Sequence, residues 1–299
     1  MTSQTSINNF KGTGVAIVTP FHREGSIDFK SFEKLIEYQI AGGVDYIVFM
    51  GTTGESVTLN ADEKHAIINF GQEIVDQRVP VVVGMGGNNT RQIIADIRNQ
   101  DFSGISAILS VSPYYNKPQP KGIYNHFKMI ASESPVPVII YNVPGRTGSN
   151  IDSETTLRIA HEVPNVIAIK EASGNLAQCS RIIKGKPEEF LVISGDDALT
   201  LPFMAIGGDG VISVIANAYP AEFSQMVRAC LEDNYQLARQ IHFRLFDIIE
   251  SIYADGSPSG VKALLEIKGL AKNYLRLPLV KINKGLYNQL AFLNDALGQ

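Results

Sequence analysis

The sequence predicts a (β/α)8 barrel with a C-terminal helical appendage. Three observations predict it. Eight strand-like apolar runs recur between residues 14 and 216 of the 299-residue chain. Segments of helical period separate them. Polar residues gather just after the runs, at the carboxyl ends where barrels of this class carry their sites.

The runs, in order, are GVAIVTP (14–20), VDYIVFMG (44–51), PVVVGMG (80–86), AILSVSP (107–113), PVIIYNVP (137–144), VIAIKEA (166–172), FLVISGD (190–196) and GVISVIA (210–216). Each is almost continuously hydrophobic rather than alternating, as strands buried on both faces are. Between the first two, Phe32, Leu35, Ile36 and Ile40 fall at helical spacing. Asn60 and Glu63 form a capping-box pattern ahead of the second helix. Glycine and proline mark the joins at Gly42-Gly43, Pro80, Gly104, Pro135 and Gly207-Gly208. Eight units in about 230 residues favour a closed barrel over a doubly wound open sheet, which more usually holds fewer strands. No GxGxxG follows the first run, which further weakens a dinucleotide-binding reading. From about residue 220 the pattern is only helical: AEFSQMVRACLE, YQLARQIHFRLFDIIESIY and GVKALLEIKGLA. The division expected is a catalytic barrel over 1–233 and a C-terminal helical region over 234–299. No linker-like composition separates them, so the second is expected to pack on the first.

Composition narrows the function classes. Apolar residues make up 44% and charged residues 19%, enough for a large core. The net charge is -4 and the pI about 5.8, with no basic stripe, so neither nucleic acid nor a membrane surface is an expected partner. The opening MTSQTSINNF lacks the charged and apolar regions of a secretory leader, and no run is long and apolar enough to span a membrane. Cys179 and Cys230 form no CxxC or metal spacing and fit a reduced, cytoplasmic setting.

The strand ends carry the chemistry. The sixth run ends in Lys170-Glu171. An amine ending a buried strand is pushed toward its neutral, nucleophilic form; the alternative is a lysine that reaches solvent or pairs with Glu171. Tyr141 ends the neighbouring run, where its phenol can shuttle protons or simply be a rim aromatic. Arg146, in a Gly/Pro-rich loop, offers a fork for a carboxylate, or a surface ion pair. Together the three describe a site for an α-keto acid. Thr52 and Thr53, between Gly51 and Gly54, can meet a small anion with backbone and hydroxyl donors. Tyr114 and Tyr115 cannot both point into one core, so one is expected to meet the site or a partner chain. Asp196-Asp197 reads better as a glycine-flanked turn than as a metal site. The five histidines are scattered, none at a strand end, and GxSxG, HExxH and GxxxxGK[ST] do not occur. Neither metal nor cofactor is expected.

GTTGES (51–56), SPYYNKP (112–118), YNVPGRTG (141–148), IKEASGN (169–175), SGDDA (194–198) and GGDGVISV (207–214) resemble, in order and spacing, the 4-hydroxy-tetrahydrodipicolinate synthase (dihydrodipicolinate synthase) family. The resemblance implies a pyruvate-dependent Schiff-base lyase. Its substrates would be pyruvate and L-aspartate 4-semialdehyde, on the diaminopimelate route to lysine. By position, Lys170 would form the imine and Tyr141 transfer protons. Thr52 and Tyr115 would complete a hydroxyl relay, Tyr115 coming from a neighbouring subunit. Thr53 would hold the pyruvate carboxylate, Arg146 the semialdehyde carboxylate, and Gly195 and Ile212 would offer backbone carbonyls. A homotetramer is implied. The alternative is N-acetylneuraminate lyase or another keto-acid aldolase, which generally lack the arginine of GRTG and this TTGE form. Ser56, Asn88 and Tyr114 match the lysine-binding cleft of feedback-inhibited members. Ala61 and Lys64 stand where those carry histidines and Gln92 where they carry a glutamate, so weak or absent inhibition by lysine is expected.

Overall fold

The computed structural model describes residues 7–298. The expectation that the first ten residues carry no leader rests mostly on residues 1–6, which lie outside that range, as does Gln299.

All eight runs are strands: β1 (Gly12–Ala16), β2 (Tyr46–Phe49), β3 (Val81–Gly84), β4 (Ala107–Val111), β5 (Val138–Asn142), β6 (Val166–Glu171), β7 (Leu191–Ser194) and β8 (Gly210–Ser213). They pair in parallel, each with the next, and β8 returns to β1 to close the barrel. At that seam Gly210 and Gly12 are register partners, and a Cβ on Gly210 would lie 2.1 Å from the Gly12 carbonyl oxygen. Only glycine permits so close an approach. The strands are shorter than the apolar runs because the runs continue into the βα loops. After β1, for example, residues 18–20 leave the ladder but stay buried.

Helices α1 (Phe29–Ala41), α2 (Ala61–Val75), α3 (Thr90–Asn99) and α4 (Pro120–Glu133) cover the first half of the barrel. A short α5 (Pro144–Thr147) precedes α6 (Ser153–Glu162), α7 (Leu176–Gly185), α8 (Thr200–Ala205) and α9 (Pro220–Leu231). Their starts are chemically marked. Asp28, Asn60, Asn89, Asp152 and Asn175 accept from the backbone N–H three residues on, and α4, α5 and α9 begin with proline. At α2 the box is reciprocal: Glu63 N–H donates to Asn60 Oδ1 at 2.9 Å and Asn60 N–H to Glu63 Oε2 at 3.0 Å.

Strand parity divides the core. Ala16, Tyr46, Val48, Val82, Leu109, Ile139, Ala168, Leu191, Ile193 and Ile212 form the cluster inside the barrel, floored by Phe10 edge-on to Tyr46. The alternate residues pack outward against the helices. Inward parity therefore carries on from Ile139 to Tyr141 and from Ala168 to Lys170, while Asn142 and Glu171 point outward.

Helices α10 (Tyr235–Tyr253), α11 (Ser259–Ile267) and α12 (Lys284–Leu297) follow the barrel and pack on it. Tyr219 donates to Asn294 Oδ1 at 2.8 Å, and Lys34 to the Gly269 carbonyl at 2.7 Å. α12 was not singled out by sequence periodicity. Among the described residues no helix is long and apolar enough to cross a membrane.

Candidate active site

The site sits at the carboxyl ends of the strands. β5 and β6 run in register so that Tyr141 pairs with Lys170, and β6 and β7 so that Lys170 pairs with Ile193. The Lys170 amine lies 4.4 Å from the centroid of the Tyr141 ring. Both side chains are buried. Burial pushes the Lys170 pKa down to about 8; Asp197 acts against this and Arg146 adds to it. A far larger share of neutral amine is thus present near pH 8 than an ordinary lysine has. Burial raises the Tyr141 pKa above its ordinary value, with Arg146 and a hydrogen bond with Thr52 opposing the rise. The phenol keeps its proton and can hand it on.

Lys170 does not pair with Glu171. Adjacent strand residues face opposite ways, and Glu171 is enclosed on the helix side. There Asn142 Nδ2 donates to it at 3.0 Å, Gln178 Nε2 at 2.9 Å and the Ser173 N–H at 2.7 Å. This network ties β5, β6 and α7 together behind the amine.

Gly195 follows β7 directly under the lysine stem. A Cβ there would stand 2.7 Å from Ala172 Cβ and 3.0 Å from Lys170 Cε. Ile212, on β8, completes the inner wall. Thr53 is buried and Thr52 exposed, within a tight 3-10 turn, Thr52–Gly54. Thr52, Tyr141 and Arg146 line one cavity of about 770 Å³, which continues past Ser56, Ala61, Lys64 and Tyr114. Arg146 stands exposed at its rim and reaches the Ser257 carbonyl at 3.4 Å. Tyr115 is the residue this chain does not bring in. It is 89% exposed with φ 72°, and its N–H donates to the Thr147 carbonyl at 3.3 Å. Its neighbour Tyr114 turns to the cavity, where Asn88 Nδ2 donates to its carbonyl at 3.2 Å.

Asp196-Asp197 forms the turn expected of it. Asp196 Oδ1 accepts from the Ala198 and Leu199 N–H groups, at 3.0 and 3.2 Å. Asp197 is buried and accepts from the Val214 N–H (3.0 Å), the Ile215 N–H (2.9 Å) and the Tyr253 hydroxyl (2.9 Å). Among the described residues no group of three or more His, Cys, Asp or Glu side chains gathers as a metal site. Sequence reading missed Tyr253, whose partner lies 56 residues away. It also missed Lys262 and Arg276, which grip Glu55 beside the threonines. A lone lysine in the apolar GVKALLEI was the available signal.

Fold and site define an α/β barrel built around a buried, neutralisable amine with a phenol beside it. The sequence profile of the Dihydrodipicolinate synthetase family matches residues 9–296. Two relatives named 4-hydroxy-tetrahydrodipicolinate synthase are closely similar. The Flavobacterium psychrophilum protein is 50% identical over 290 residues, covering 97% of this chain and 99% of the relative. The Parabacteroides distasonis protein is 52% identical over 272 residues, covering 91% and 92%. The crystal structure of dihydrodipicolinate synthase from Thermotoga maritima superposes with a TM-score of 0.94 at 38% identity, covering 97% of this chain and 99% of that one. The chain belongs to the dihydrodipicolinate synthetase family.

Proposed function

We propose that Lys170 is the imine-forming residue of this chain and that Tyr141 carries its protons. The chain is a lyase that condenses pyruvate with L-aspartate 4-semialdehyde to give 4-hydroxy-tetrahydrodipicolinate, in lysine biosynthesis by the diaminopimelate route. The observation that carries the residue assignment is the buried amine in register with, and 4.4 Å from, the Tyr141 ring.

The chemistry follows from that pair. Neutral Lys170 attacks the keto carbon of pyruvate, and the carbinolamine loses its oxygen as water once a proton is supplied. Tyr141 stands within reach to give that proton, and Thr52 beside it passes protons onward. The positive iminium acidifies the pyruvate methyl group, whose proton passes to the deprotonated Tyr141 as the C–H electrons move to form the enamine. The resulting enamine carbon attacks the aldehyde carbon of the second substrate, forming the new C–C bond. The substrate's own amine then displaces Lys170 from the imine carbon, closing the ring and regenerating the enzyme. Thr53 holds the pyruvate carboxylate, Arg146 meets the semialdehyde carboxylate, and the Gly195 and Ile212 carbonyls flank the imine. Tyr115 completes the relay of a neighbouring subunit, in a homotetramer. The chain works in the cytoplasm without cofactor or metal, as a barrel over 1–233 with a C-terminal helical region over 234–299.

Borohydride reduction in the presence of pyruvate tests the assignment. The expected adduct is a single reduced pyruvate on the peptide carrying Lys170, located by mass spectrometry. An adduct on another lysine, or none, overturns it. Turnover of aspartate semialdehyde, with none of N-acetylneuraminate, is the matching substrate result.

A further inference from the structure

The turn that carries Thr52 and Thr53 is gripped from outside the barrel. Directly after it, Glu55 takes the left-handed conformation, φ 53° and ψ 33°. A residue with a Cβ holds that conformation only where its surroundings enforce it. The enforcing groups come from the C-terminal region. Glu55 and Lys262 are each 2% exposed, and Lys262 Nζ, on α11, donates to Glu55 Oε1. The Arg276 backbone N–H donates to Glu55 Oε2 at 3.1 Å. Lys262 is itself fixed, donating to the Tyr274 carbonyl at 2.9 Å with its amine 4.3 Å from the Phe21 ring centroid. The Arg276 guanidinium continues the grip along the same loop, to the Thr58 carbonyl (2.9 Å) and the Glu63 carboxylate (2.8 Å). From the barrel side, Thr19 Oγ1 donates to the Gly54 carbonyl at 2.7 Å.

A buried ion pair is weak support for stability, because both ions give up hydration to form it. What it supplies is one defined geometry at a defined place. Here that place is the residue directly after the Thr52–Gly54 turn, whose Thr52 side chain hydrogen-bonds with Tyr141.

We propose that the Glu55–Lys262 pair is a positioning device that sets the Thr52–Thr53 turn against Lys170 and Tyr141, so that the C-terminal helical region acts on pyruvate binding and imine chemistry through it. This rests on the reading of Lys170 and Thr53 given above. Removing one partner leaves the other buried without its counter-charge, and frees residue 55 to leave the left-handed region. The turn then relaxes away from the amine, while the Arg146 loop, which meets the Ser257 carbonyl and not the ion pair, keeps its place.

The test is a double-mutant cycle in the full chain: Glu55→Gln, Lys262→Met and the pair together. It is read by steady-state kinetics, thermal melting and reductive trapping of pyruvate. Each single change is expected to raise the KM for pyruvate about ten-fold or more and lower kcat by at least as much. The KM for the semialdehyde should stay within about two-fold, since that substrate meets the other loop. The double variant carries no orphaned charge. Its pyruvate KM should rise by only about three- to ten-fold, well short of the product of the single effects. A folded variant, single or double, with the parent's pyruvate KM and kcat overturns the proposal, whatever its melting temperature. Should the singles fail to fold, the double alone decides by the same readout. A parent chain that traps no pyruvate at Lys170 sinks the catalytic assignment instead. A parent that traps it, beside variants of unchanged pyruvate KM, sinks this inference alone.

Discussion

At the scale of single residues, the site depends on keeping one amine neutral. Lys170 is buried at the end of β6 beside the Tyr141 ring, and burial is the largest cause of its lowered pKa, about 8. The consequence for pH has a definite sign. The nucleophile is the deprotonated form, so the rate of imine formation rises as pH climbs toward the pKa and levels above it. Between pH 6 and 7 the neutral fraction grows about ten-fold, and above about 9 it hardly changes. Trapping with cyanoborohydride across pH 6–10 should follow that curve. A rate still climbing about seven-fold between pH 9 and 10 would show an ordinary lysine. Arg146 predicts the opposite kind of effect. It stands exposed at the cavity rim, on a loop apart from the amine. Arg146→Ala should raise the KM for the semialdehyde about ten-fold and leave pyruvate trapping intact. Loss of both would mean that its charge serves the first substrate as well.

At the scale of elements, registers decide which side chains meet, and Gly195 shows how tightly. It follows β7 where the stem of Lys170 crosses, and a Cβ would sit 3.0 Å from Cε and 2.7 Å from Ala172 Cβ. Neither neighbour can yield easily, one being short and the other the nucleophile. Gly195→Ala should slow pyruvate trapping about ten- to a hundred-fold, with a modest loss of melting temperature. Unchanged trapping would mean that the stem has room to move. This steric contact was invisible in the sequence, where SGDD reads as a turn and the resemblance implies for Gly195 only a backbone carbonyl. The strands were legible because burial on both faces leaves an unbroken apolar run, as in VIAIKE and VIIYN. Their ends were not, since Val18 is as apolar and buried as Val15 yet lies beyond the ladder. Lys170, Tyr141, Thr52 and Thr53 could be found by asking what ends each run. Tyr253 and Lys262 could not, because their partners Asp197 and Glu55 lie 56 and 207 residues away and no local period encodes the pairing. α12 escaped notice because only Leu286 and Leu290 of its residues are buried, a thin stripe for periodicity to reveal.

At the scale of the whole molecule, one cavity runs from Tyr141 toward the residues that would bind lysine in feedback-inhibited members, and Tyr115 stands outside it. The cavity that begins at Tyr141 passes Ser56, Ala61 and Lys64. Lysine binding there would meet the Lys64 ammonium. The Gln92 side chain meanwhile donates to Asp96 at 2.9 Å instead of offering a carboxylate. Lysine below 1 mM should therefore leave the activity of the purified enzyme unchanged, an altered balance on the order of 1–3 kcal/mol. Half-inhibition under those conditions would refute it. Tyr115 makes the stronger prediction. It is 89% exposed in a strained backbone conformation and is not among the residues lining the cavity. If it serves a neighbour, two dead variants can repair each other. Lys170→Ala lacks the nucleophile and Tyr115→Ala the donated phenol. In a mixed pair, one site joins the intact Lys170 of one subunit to the intact Tyr115 of the other. The second site lacks both. Random mixing at equal amounts makes about half of all pairs mixed, each with one working site of two, so about a quarter of the parent activity should return. Recovery requires exchange of subunits, checked by dissociating and reassembling the mixture and comparing it with unexchanged protein. If Tyr115 acts within its own chain, or not at all in the relay, reassembly restores nothing beyond the sum of the two variants measured apart.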